Sequence, residues 1–187
     1  MMIIGSRVQK NKFANYKYKR IVAIDPGFSG AVACLDLDTN NNVIAHYADY
    51  FPTEVKKVGK ANRTYYELTT LKSLIRNYAN IICFDVDIVI EHSQSMPHDG
   101  RVQAFAFGYS FGLLHGLCLS LRDNITLVKP NVWKKVFVEK GADKEASRLK
   151  AIELFPQMAD KLKLKKSHGL AEALLIAEWQ RRKLLNE

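Results

Sequence analysis

The sequence predicts an α/β fold: a mixed five-stranded sheet, three antiparallel strands and then parallel ones, with helices on both faces. Three observations predict it. Apolar runs at Ile21–Ile24, Ala31–Leu37 and Val43–Tyr50 follow one another with only short steps between them, as an antiparallel meander requires. A further run, Ile88–Ile90, is apolar at every position, as suits a central strand covered on both sides. From there on, helical stretches alternate with one more short strand.

The chain is organised around RIVAIDPGFSGAVACLDL, residues 20–37. Its first apolar run ends in Asp25, and Pro26, Gly27, Ser29 and Gly30 then turn the chain back into the second strand. An acid at the end of a buried strand is costly unless a cation or donors meet it. The third strand, Val43–Tyr50, follows a polar turn over residues 36–42. Residues 51–63 are polar and lysine-rich and read as a mobile stretch. Leu68, Leu71, Leu74, Ile75 and Tyr78 then form a helical stripe within residues 66–78.

The fourth strand, within DVDIVIEHSQS, also ends in an acid, Glu91. A Pro/Gly loop over residues 96–101 precedes a helix in which residues 102–121 carry no Asp, Glu, Lys or Arg. That run is long enough to span a bilayer, but its polar residues and three glycines make it a helix buried inside the domain. Gly108, Gly112 and Gly116 leave one of its faces without side chains, fit to press on a sheet or on a twin helix. Residues 125–128 form the fifth strand. A short amphipathic helix carrying Trp133, Val136 and Phe137 comes next, then one capped by Asp143 and stopped by Pro156. The last helix spans residues 169–185, with Leu170, Ala173, Leu174 and Ala177 on its buried face and Glu172 near its start.

At 187 residues the chain is read as a basic arm, residues 1–19, followed by one domain, residues 20–187. A net charge of +9 points to a polyanionic partner, nucleic acid before anionic membrane. Cys34, Cys83 and Cys118 are widely spaced, odd in number and set in apolar segments. They read as reduced core residues of an intracellular protein rather than as a zinc site or disulfide framework.

Three acids thus stand at matching places: Asp25 ends the first strand, Glu91 ends the fourth, and Glu172 opens the last helix. The element order is that of the ribonuclease H-like fold, in which these strands are neighbours and the last helix crosses the same end. Clustered carboxylates repel one another unless a hard cation neutralises them, which implies Mg²⁺ or Mn²⁺. IDPGFSG, IVIEHSQSMP with the F-x-F-G-x-S-x-G that follows it, KPNVWKK with GADKEASRLKAIELFP, and AEALLIAEW occur in that order. Together they resemble the RuvC-type Holliday junction resolvases, in the forms carried by bacteriophages and their relatives. The resemblance covers residues 21–182, nearly everything outside the basic arm.

The resemblance implies a homodimer that binds branched DNA, four-way junctions above all, and makes paired nicks in opposed strands, with no membrane involved. It implies two Mg²⁺ ions per active site, for which Mn²⁺ substitutes, with Asp25 bridging them and Glu91 and Glu172 each helping to hold one. Where the family carries a second acid or a histidine about one turn before Glu172, this chain has KKSHG, and His168 is the candidate ligand. Lys134 and Lys144 match lysines that contact phosphate, Lys129 and Arg101 are assigned to DNA as well, and His98–Asp99 match the loop that reaches into the junction. The expected location is intracellular, wherever DNA is processed: the cytoplasm of a bacterial host if the chain is phage-encoded, with a mitochondrial location, read from the basic first 20 residues, as the alternative. The alternative reading is a catalytically weak or silent junction-binding protein of the same fold.

Overall fold

A computed structural model describes residues 18–79, 84–92, 94 and 99–186. The basic residues Arg7, Lys10, Lys12 and Lys17 of the expected arm, together with Cys83 and His98, lie outside the described residues. The meander is present as β1 (Tyr18–Asp25), β2 (Ala31–Leu37) and β3 (Val43–Tyr50), paired antiparallel. β6 (Phe84–Glu91) joins β1 in parallel and β7 (Ile125–Val128) joins β6 in parallel, giving the order β3-β2-β1-β6-β7. Intervening β4 (Thr53–Val58) and β5 (Ala61–Tyr66) form a separate two-stranded hairpin.

That hairpin corrects the expectation of a mobile stretch over residues 51–63. Its strands are exposed along most of their length, so no apolar alternation was needed to form them. The remaining clue is the two-residue turn Gly59–Lys60, where Gly59 takes a positive φ of 60°. β1 also starts earlier than the apolar run suggests. Lys19 pairs with Asp87 at 3.2 Å across to β6, and Arg20 grips Asp36 of β2 with two hydrogen bonds of 2.5 and 2.6 Å.

Side-chain alternation divides the core into two layers. Ile21, Ala23, Ala33, Leu35 and Val89 face α6 (His168–Leu184), whereas Val22, Ile24, Cys34, Ile88 and Ile90 face the layer of α1 (Leu68–Ala79) and α2 (Arg101–Leu119). Each fully buried Ile or Leu contributes roughly 2 kcal/mol of transfer free energy, so every central strand is held from both sides. α3 (Pro130–Phe137), α4 (Lys144–Leu154) and the short α5 (Ala159–Leu162) cover the outside of α6. α6 is therefore buried on all sides from Gly169 to Glu178, not along one face only, because it is sandwiched between the sheet and α4. The Asp143 carboxylate accepts from the Ala146 N–H at 3.0 Å, the cap the sequence predicts.

α2 meets its expectation on one side only. Ser110, Leu114 and Cys118 are buried against the sheet, but Phe105 is 75% exposed, and a Cβ added at Gly108, Gly112 or Gly116 would meet nothing within 4 Å. The glycine stripe turns away from the sheet. By length and composition α2 is also apolar enough to cross a bilayer, and only 17% of that apolar window is buried, which corrects the expectation of a helix buried inside the domain.

Candidate active site

Parallel pairing of β1 with β6 sets Ile24 beside Ile90, so the residues that follow, Asp25 and Glu91, leave the sheet at the same edge. α6 approaches that edge from the other side of the turn after β1. The approach is close. A Cβ at Gly169 would fall 2.2 Å from the Ser29 carbonyl oxygen, and one at Gly30 would fall 2.0 Å from the Asp25 carbonyl oxygen. Only glycine fits at either position, and the contact fixes Glu172, one turn further along α6, over the strand ends.

Asp25, Glu91 and Glu172 line one cleft of about 580 Å³, together with His168 and Asp99. The sequence thus anticipates which acids come together, although they lie far apart in the chain. All three are almost fully buried, at 9%, 7% and 6% exposure. Burying like charges side by side is unfavourable unless positive charge or donors compensate.

Part of that compensation comes from α3. β7 pairs Val128 with Glu91, and α3 begins two residues later, which points its first turns back at the cleft. The Trp133 indole Nε1–H donates to Glu91 Oε2 at 2.7 Å, and the Lys134 ammonium sits 2.8 Å from Glu172 Oε1. Burial pulls the Lys134 pKa down, but the charges of Glu172, Glu91 and Asp25 outweigh it and hold the ammonium above its ordinary value. The lysine expected on phosphate is thus paired with an acid of the cleft in this structure.

The other expected site residues are less tied to the acids. His168 lines the cleft, with Nδ1 at 3.4 Å from the Lys165 carbonyl oxygen. Lys129 is exposed at the start of α3, Arg101 is exposed at the first position of α2, and Lys144 is the first residue of α4. Sequence reasoning missed two contributors. Trp133 reads as one more apolar residue of an amphipathic helix, though a buried indole N–H needs an acceptor. Gly169 lies in KKSHG, with no turn signal to mark its backbone contact.

The donor set of three carboxylates is all oxygen, which suits a hard divalent cation. Among the described residues, however, no three His, Cys, Asp or Glu side chains stand together as a ready-made metal-binding group. The acids share a cleft rather than a finished coordination sphere.

No family model matches the chain. Over 91 residues, 48% of this chain, it is 35% identical to the chloroplastic Holliday junction resolvase MOC1 of Chlamydomonas reinhardtii. The matched part is about a tenth (10%) of that relative's length. Among solved structures, RuvC of T. thermophilus in complex with a Holliday junction substrate aligns with a TM-score of 0.51 at 13% identity, covering 88% of this chain and 96% of that one. A second Thermus thermophilus RuvC structure gives 0.51 at 14%, covering 89% and 96%. The chain has the ribonuclease H-like α/β fold of RuvC, and the resemblance read from its motifs recurs in both comparisons.

Proposed function

We propose that this chain, built on the RuvC fold, is a divalent-cation-dependent endonuclease that resolves four-way DNA junctions by paired nicking of opposed strands. The observation that carries the reading is the meeting of Asp25, Glu91 and Glu172, from three separate elements, in one cleft. The charge of three buried acids at one sheet edge repels a DNA phosphate unless a cation intervenes. The net charge of +9 supplies attraction for DNA as a whole.

Asp25, Glu91 and Glu172 would hold Mg²⁺ or Mn²⁺, two ions by the family pattern, with His168 at hand in the same cleft. When bound, such ions supply Lewis-acid stabilisation of the phosphoryl charge and make water a better nucleophile at neutral pH. The rest is done by the chain's own residues. Burial of the carboxylates strengthens their hold on a cation, because the surrounding dielectric is low. Lys134 offsets the charge of Glu172, and Lys129, Lys144 and Arg101 offer cations to the DNA backbone. Residues 1–19 carry five Lys or Arg and no acid, which adds to the positive charge on offer to DNA. Two copies joined through the open face of α2 would set two clefts against the opposed strands of one junction.

The test is incubation of purified protein with a labelled synthetic four-way junction, with and without Mg²⁺, mapping cuts on every strand. Symmetric nicks that need Mg²⁺ are expected. Tight junction binding that is the same in Mg²⁺ and EDTA, without cuts, would replace this reading with that of a silent junction-binding protein.

A further inference from the structure

We infer that Trp133 is a positioning residue for Glu91: its indole N–H fixes the carboxylate in the orientation in which it takes a cation. The inference rests on the metal-dependent reading of the cleft. Trp133 is 0% exposed and packs in the core layer that holds Phe137 and Leu170, so the ring cannot turn away. The indole has one donor and no acceptor, and that donor is spent on Glu91 Oε2 at 2.7 Å, the length of a charge-assisted bond. Glutamate otherwise carries one of the larger side-chain entropies, and a rigid donor removes that freedom before a cation arrives.

The partner's chemistry makes the bond specific. α3 sends two consecutive residues to two different acids, and they act differently. Lys134 brings a full positive charge to Glu172 and competes with any cation for it. Trp133 brings an N–H dipole and no charge of its own to Glu91. Partners of this kind, one step behind the ligand, typically govern metal affinity by 10- to 100-fold.

The test uses the full chain and Mn²⁺ as the probe, with free Mn²⁺ counted by electron paramagnetic resonance. Trp133→Phe keeps a ring in the core and removes the donor. The expected result is an Mn²⁺ dissociation constant raised about tenfold or more. The Mg²⁺ concentration for half-maximal junction cutting should rise in parallel, with a smaller change in the rate at saturating Mg²⁺. In a Glu91→Gln background the same substitution should cost no further affinity. Unchanged Mn²⁺ affinity in Trp133→Phe, or an equal loss in both backgrounds, overturns the inference. Should Trp133→Phe fail to fold, Trp179→Phe leaves Trp133 as the sole indole. Its emission must then be quenched by Mn²⁺ with the midpoint found by resonance, and an emission indifferent to Mn²⁺ overturns the inference too. Parent protein that neither binds Mn²⁺ nor cuts junctions brings down the resolvase reading itself, and this inference with it. Parent protein that does both while Trp133→Phe matches it brings down the inference alone.

Discussion

Asp25, Glu91 and Glu172 are buried carboxylates that line one cleft. Replacing any one by its amide keeps size and removes the charge that would hold a cation. Asp25→Asn, Glu91→Gln and Glu172→Gln should each abolish junction cutting while leaving junction binding intact or stronger. Asp87→Asn is the control, since Asp87 lies near the start of β6 and pairs with Lys19 at 3.2 Å. If Asp87→Asn stops cutting and Glu91→Gln does not, the active site is not at the strand ends.

A second residue-scale expectation concerns alkali. Burial pushes the Cys34 and Cys118 thiols up from 9.0 to about 12, and the Tyr66 phenol up from 10.0 to about 12. In the unfolded chain these groups release protons at the lower values. Between pH 9 and 12 the folded state therefore holds more protons, and stability falls as pH rises. The contribution is complete below pH 9 and is lost by about pH 12. Urea midpoints measured from pH 8 to 11 should decline, and Cys118→Ala should make the decline shallower. A flat profile would show that these protons are not linked to folding.

At the scale of elements, α2 is covered on one side and open on the other. Its Ser110–Leu114–Cys118 line is buried and its glycine line is bare. A Cβ added at Gly112 meets nothing within 4 Å, so a longer side chain there starts into open space. Gly112→Arg should therefore leave thermal stability within about 1 kcal/mol of the parent, yet convert a dimer into a monomer in sedimentation velocity and uncouple the paired nicks. A parent that sediments as a monomer at micromolar concentration while nicking both strands would rule out the α2 dimer.

How much of each element was legible follows from how it is buried. β1, β2 and β6 are enclosed by helices on both faces, so their sequences had to be apolar and could be read. β4 and β5 are exposed along most of their length, with only Tyr66 of β5 entering the core, and their pattern carried no such mark. Asp25 and Glu91 were legible because an acid at the end of an apolar run is anomalous in sequence, and Glu172 through its place at the start of the last helix. Trp133 was not, because an indole that holds a carboxylate and one that only fills a core look alike until its acceptor is seen.

For the whole molecule, the excess of positive charge is a statement about salt. Each phosphate neutralised by Lys or Arg releases counterions, so junction affinity should fall at least about tenfold between 50 and 200 mM salt. Deleting residues 1–17 should make the salt dependence shallower, as fewer phosphates are then met. Affinity indifferent to salt would argue against any nucleic-acid partner.

The close seat of Gly169 on the Ser29 carbonyl also has a consequence for the newly made chain. Asp25 and Glu91 are translated well before α6, and at 5–20 residues per second the wait for Glu172 lasts about ten seconds. During that interval Ile21, Ala23 and Leu35 lack the helix that covers them, and the third acid does not exist. On the proposed function, a nascent or prematurely terminated chain would expose apolar surface yet be unable to cut DNA, and the capacity to cut would arrive in the same step that closes the core.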